Sequence, residues 1–129
     1  AEYRGLADRF DPQEYHPEDW VALAQDAGMR YIILTSSHHE GFCLWDSKVS
    51  DFTAPKTAAK RDLPGEFVEA CDNRGMRYGF YYYLLDWRLP AYWKGPRREP
   101  AGWGELRDYV HAQVEELCAG AVSLMTGSE

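Results

Sequence analysis

The tetrapeptide Gly-Met-Arg-Tyr occurs twice, at residues 28–31 and 75–78, 47 residues apart. Each copy follows a stretch with helical spacing and opens a run of apolar and aromatic residues. A recurring helix–glycine–strand unit constrains the fold more than any compositional feature does. Strands joined by a helical crossover run parallel, so the repeat predicts α/β architecture. The strand runs are nearly continuous in apolar and aromatic residues, as parallel strands buried on both faces are.

The first helix is expected over Pro17–Ala27. Pro17 suits the first helical position, and Glu18 and Asp19 suit the positive end of the helix dipole. Trp20, Leu23, Ala24 and Ala27 share one apolar face, and Gly28 supplies a left-handed stop. The second helix is expected from about Pro64 to Arg74, capped by Asp62 or Leu63 and ended by Gly75. Phe67, Ala70 and Cys71 form its buried face. A third is expected over Glu105–Leu117, with Leu106, Tyr109, Val110, Val114 and Leu117 in period and Gln113 as one polar exception. Gly120 would end it, and Ala121–Met125 would form another strand. The order α-β-α-β-α-(β) fits a doubly wound sheet or part of a (β/α)₈ barrel, with two or three parallel strands and flanking helices. In both folds function sits beyond the carboxyl ends of the strands. His38-His39 follows the first strand and Asp86-Trp87 the second, so both clusters are expected on one rim.

A length of 129 residues suits a single domain, 1–129. The net charge of −7 argues against a nucleic-acid surface. The basic stretches Lys56–Arg61 and Lys94–Arg98 read as solvated loops. Cys43, Cys71 and Cys118 are an odd, widely spaced set, which suggests reduced thiols. No apolar run approaches the roughly 18 residues of a membrane span, and no signal-like segment opens the chain. A cytoplasmic protein with no membrane partner is the expectation. GxGxxG, P-loop and GxSxG patterns are absent from the sequence.

The segment Thr35–Ser47 places two imidazoles, a carboxylate and two aromatics just past the first strand. Three readings of His38, His39 and Glu40 are open. They could ligate a metal, although there is no HExxH and no third ligand at a telling spacing. They could cap backbone carbonyls in a loop. They could recognise vicinal hydroxyls, since neutral imidazoles both donate and accept. Strand alternation sends Tyr81 and Tyr83 to one side and Tyr82 to the other. Asp86 beside Trp87 suits a sugar platform, a catalytic carboxylate or a turn cap, whereas Arg61-Asp62 reads as a helix cap. Trp45, Trp87, Tyr92, Trp93 and Trp103 lie in loop-like stretches, where such rings often face a ligand.

The stretches YIILTSSHHEGFCLWDSKVSDF, KRDLPGEFVEACDNRGMRYGFYY and LLDW resemble the α-L-fucosidases of glycoside hydrolase family 29. The resemblance runs from about Phe10 to Leu117. Ser37 stands for that family's usual Lys, Glu40 for Asp, and Tyr83 for Ser. It implies a truncated part of a catalytic (β/α)₈ barrel and a fucosylated glycan or aryl fucoside as ligand. No cofactor and no metal are implied. His38 and His39 match the pair that hydrogen-bonds fucose hydroxyls, Tyr81 matches a pocket tyrosine, and Trp45 would wall the pocket. The family's nucleophile strand finds no match in the C-terminal residues, although Glu129 falls by counting near where it would end. Asp86 and Glu40 are the candidate catalytic carboxylates, with Asp46 also near the rim. The expectation is weak, oligomer-dependent exo-α-L-fucosidase activity of retaining ancestry. The alternative is a non-catalytic fucose-binding or vestigial barrel fragment. Open sheet edges further imply a homo-oligomer.

Overall fold

The computed structural model describes residues 2–125. The elements in order are α1 (Glu2–Gly5), a 3₁₀ turn (Leu6–Arg9), α2 (Pro17–Asp26) and β1 (Tyr31–Ser37). A second 3₁₀ turn (Ala54–Lys56), α3 (Leu63–Asn73), β2 (Arg77–Tyr82), α4 (Pro90–Lys94) and α5 (Pro100–Met125) follow. The strands pair in parallel, with Tyr31 opposite Arg77 and Thr35 opposite Tyr81. The two copies of the repeat therefore lie side by side at the start of the sheet.

Alternation decides what each strand buries. Ile32 and Leu34 of β1, with Tyr78 and Phe80 of β2, pack on a core of Val21, Ala24, Phe67, Val68, Ala70, Cys71 and Met76. That core lies between the sheet and the helices α2 and α3. The opposite face is uncovered among the described residues: Tyr31 is 64% exposed and Ile33 57%. The sheet is thus buried on one face, not on both as the continuous apolar runs suggest.

The ends of α3 follow from local chemistry. The Asp62 side chain accepts a hydrogen bond from the Gly65 N–H at 3.1 Å, and Gly75 adopts φ +62° just past the helix. Gly28 does the same after α2, at φ +76°. On α2 the buried residues are Pro17, Val21 and Ala24. The expected face was therefore partly misplaced: Leu23 is 70% exposed and Trp20 turns to stack edge-on against Tyr15.

α5 extends beyond its expected bounds at both ends. It begins at Pro100 and passes Gly120, so Ala121–Met125 is helix and not a third strand. With one turn to go, intrahelical hydrogen bonding outweighs the cost of about 1 kcal/mol for an internal glycine. Trp93 and Trp103 likewise sit on helices, α4 and α5. The polar exception on α5 has a partner set. Gln113 is 1% exposed, accepts from the Tyr82 hydroxyl at 2.7 Å, and lies 3.2 Å from Ser47 Oγ and 3.1 Å from Cys43 Sγ. A buried amide whose groups are satisfied fixes the angle between α5, β2 and the loop after β1.

Candidate functional site

β1 ends with an irregularity. The register shifts between Thr35 and Ser37, and Ser36 Oγ donates to the Tyr81 carbonyl at 3.1 Å. A bulge re-aims the residues that follow it. The chain then turns, with the Gly41 N–H bonded to the His38 carbonyl at 2.9 Å and Gly41 at φ +72°. Only glycine adopts that conformation without strain. The turn lets consecutive histidines reach one rim, although alternation along a strand would separate them.

His38 lies nearly parallel to Tyr83, 4.7 Å between centroids, and to Tyr81 at 6.0 Å. It meets His39 edge-on at 4.5 Å. His39 lies flat on Trp87, 3.7 Å apart and 5° from parallel. The Trp87 backbone N–H also donates to the His39 carbonyl at 2.9 Å. The two clusters that follow the two strands therefore meet on one rim, and Tyr81 and Tyr83 join them while Tyr82 turns to Gln113.

Glu40 is brought to the same place. Its Oε2 lies 3.6 Å from His39 Nδ1, and that nitrogen is buried without a hydrogen-bond partner among the described residues. At that separation the contact is electrostatic and conditional on imidazole protonation. His38, His39 and Glu40 each offer one ligand atom, all within 4.8 Å of one another, so the trio is compact enough to hold a divalent cation as well as hydroxyls. A cavity of about 640 Å³ opens beside them, lined by Tyr3, Arg4, His39, Glu40, Phe52, Trp87 and Arg88.

Three other candidates are engaged in different contacts. Asp86 is 3% exposed; its carboxylate accepts from the Arg88 backbone N–H at 2.9 Å and from Arg88 Nε at 3.0 Å. It is a buried clamp against Gly41, and its bond to the Arg88 N–H is that of a turn cap. Trp45 is 6% exposed, packed with Cys43 and Leu117, and its indole N–H is taken by Glu116 at 2.9 Å. It stands in the core under α5 and not beside the histidines. Asp46 is solvent-facing and its carboxyl is held below the usual range by the hydrogen bond from Lys48. Glu129 lies outside the described residues.

Arg88 was not singled out from sequence. Its guanidinium sits over the Phe52 ring at 5.0 Å and next to Tyr109, tying three segments to Asp86. The D-W-R order hints only at a local pair; nothing local points to Phe52 or Tyr109. Among the described residues all three cysteines are free, with Cys43 and Cys71 buried.

Comparison with known proteins places this geometry. The family profile described as Alpha-L-fucosidase matches residues 1–120. The tissue alpha-L-fucosidase of Macaca fascicularis is 41% identical over 93 residues, 71% of this chain and 20% of that protein. The alpha-L-fucosidase of Branchiostoma floridae is 34% identical over 117 residues, 89% of this chain and 26% of that one. An α-L-fucosidase GH29 of Bacteroides thetaiotaomicron, solved as a trapped covalent intermediate, superposes with a TM-score of 0.84 at 32% identity. The match covers 92% of this chain and 28% of that one. The Thermotoga maritima enzyme in complex with a mechanism-based inhibitor gives 0.78 at 38% identity, covering 93% of this chain and 29% of that one. The chain thus spans about a fifth to a quarter of the length of these curated relatives. It belongs to the α-L-fucosidase family, and its two parallel strands with flanking helices correspond to part of that family's barrel.

Proposed function

We propose that this chain binds terminal α-L-fucosyl residues through His38, His39 and Tyr81, as the sugar-recognising share of an exo-α-L-fucosidase barrel. The observation that carries the reading is the meeting of His38 with Tyr81 and of His39 with Trp87 on one rim, in a chain of this family. Neutral imidazoles and a phenol can donate to and accept from vicinal hydroxyls, while an aromatic face covers the apolar side of the ring. Fucosylated glycans are the substrate class, and aryl α-L-fucosides are convenient reporters. Retaining hydrolysis needs two carboxyl groups about 5–5.5 Å apart. Glu40 stands beside the histidines and is the better placed of the two candidates. A non-catalytic, fucose-binding role is the second reading, supported by the engagement of Asp86 with Arg88.

Calorimetric titration with L-fucose tests binding, and turnover of an aryl α-L-fucoside by mock-controlled protein tests catalysis. Saturable binding without turnover selects the second reading. No saturable binding rejects both. The proposal includes self-association, supported by the uncovered sheet face at Tyr31 and Ile33. Light scattering after size exclusion should give a mass above that of one chain, and a folded monomer at micromolar concentration would overturn it.

A further inference from the structure

We propose that Trp87 and Trp93 form a second carbohydrate subsite, a platform for the neutral hexose that carries the terminal fucose. The inference rests on the sugar-binding reading of His38, His39 and Tyr81 and extends it outward from that pair.

Trp87 is fixed from three directions. One ring face lies on His39 at 3.7 Å, its backbone N–H donates to the His39 carbonyl at 2.9 Å, and its own carbonyl accepts the Trp93 indole N–H at 2.8 Å. Even so, Trp87 is 41% exposed and Trp93 66% exposed. A tryptophan gains most from burial, and its N–H ordinarily needs a partner from whatever covers it. Here the Trp93 N–H is already satisfied within the chain. What it offers outward is a flat hydrocarbon face with no polar demand, held in place before any ligand arrives.

The rings also form a continuous path. From His38 the steps are 4.5 Å to His39, 3.7 Å to Trp87 and 6.1 Å to Trp93. A terminal sugar on the histidine pair would direct its aglycone along that path, over α4. The short helix gives Trp93 a rigid base, since Pro90 opens it and Ala91 packs beneath with Leu106 and Val110. The occupant should have one apolar face and a hydroxylated edge that stays in water. A pyranose such as galactose has both, because one of its faces is a continuous patch of C–H bonds. The Arg88 guanidinium beside Trp87 is engaged by Asp86, which favours a neutral sugar over an anionic one.

The test uses the 129-residue chain and a sulfur-linked disaccharide of α-L-fucose on D-galactose, which resists hydrolysis. Its affinity and that of L-fucose are measured calorimetrically for wild type, Trp93→Ala and Trp93→Phe, with circular dichroism to confirm the fold. The expected result is that wild type binds the disaccharide about tenfold more tightly than L-fucose, since a stacked ring adds on that order. Trp93→Ala should lose that advantage and leave L-fucose binding unchanged, with Trp93→Phe retaining part of it. A disaccharide no tighter than L-fucose overturns the platform while the fucose site stands. Equal weakening of both sugars in Trp93→Ala overturns it too, as would a lower solution mass of that variant, which would mean that a second copy covers the ring. No saturable binding of either sugar removes the platform and the fucose site together.

Discussion

Trp45 and Glu116 are joined by a 2.9 Å hydrogen bond across 71 residues of sequence. The same carboxylate accepts the backbone N–H of Lys48 at 2.8 Å. Glu116 therefore pins the loop after β1 to α5, close to the Cys43–Trp45–Leu117 core. Removing it leaves a largely buried indole N–H without its partner. Glu116→Ala should cost about 1–3 kcal/mol, read as a lower urea midpoint. Glu116→Gln should cost less, because the amide oxygen still accepts one of the two bonds. A midpoint unchanged in Glu116→Ala would show that solvent replaces both.

Gly41 is the second point at which the loop is pinned. Its φ is +72°, and a Cβ there would collide with the Asp86 carboxylate and the Arg88 guanidinium. The obstruction is a tightly held ion pair, not the free end of a side chain. Gly41→Ala should destabilise the chain by about 1–3 kcal/mol from backbone strain alone. It should also shift the His39–Trp87 stack, visible as a change in near-ultraviolet circular dichroism. Unaltered stability would mean that the turn relaxes without the left-handed residue.

These two positions mark the limit of what sequence shows. The repeat, the caps at Asp62, Gly28 and Gly75, and the parallel order depend on local patterns, and local patterns are legible. The meeting of His39 with Trp87 was legible too, because both follow strands that lie side by side. Trp45 was assigned to the pocket wall from its place in a motif. Its burial depends on Leu117 and Glu116, contacts that no window around residue 45 contains. Asp86 was ambiguous for the same reason: the ring under its partner Arg88 belongs to Phe52. The exposed sheet face was misjudged because an apolar strand looks alike whether its second face is covered by this chain or left for something else.

Stability should depend on pH in the alkaline range through two thiols. Cys43 and Cys71 have no exposed surface, and burial pushes each thiol up to about 11. For an acid whose folded pKa is raised, the folded state retains a proton that the unfolded state has released. The contribution is complete below the unfolded thiol value of 9.0 and falls as pH rises toward about 11, where the loss levels off. Urea midpoints at about pH 8 and about pH 10.5, under reducing conditions, provide the check. The wild-type midpoint should fall more across that interval than that of a Cys43→Ala/Cys71→Ala variant, although the variant starts lower because of its cavities. Equal falls would assign the alkaline loss to other groups.

The two candidate carboxylates should separate cleanly on substitution. Asp86 is buried against Arg88, whose side chain is 29% exposed, so Asp86→Asn leaves a partly buried guanidinium without its counter-charge. Breaking one half of such a part-buried pair costs about 1–3 kcal/mol. Arg88→Ala should be comparably harmful, and the double variant should cost clearly less than the sum of the two. Glu40 is part-exposed beside His39 and supports no such pair, so Glu40→Gln should alter stability by less than about 0.5 kcal/mol. Its effect should appear instead in ligand titrations. Loss of the carboxylate that stands 3.6 Å from His39 Nδ1 removes a group that helps hold that ring, so L-fucose binding should weaken. The measurements are urea unfolding of the four variants beside wild type and calorimetry with L-fucose. A stable Asp86→Asn protein that has lost only its sugar response would return Asp86 to the site. A Glu40→Gln protein that binds L-fucose as tightly as wild type would mean that Glu40 does not act on the histidine.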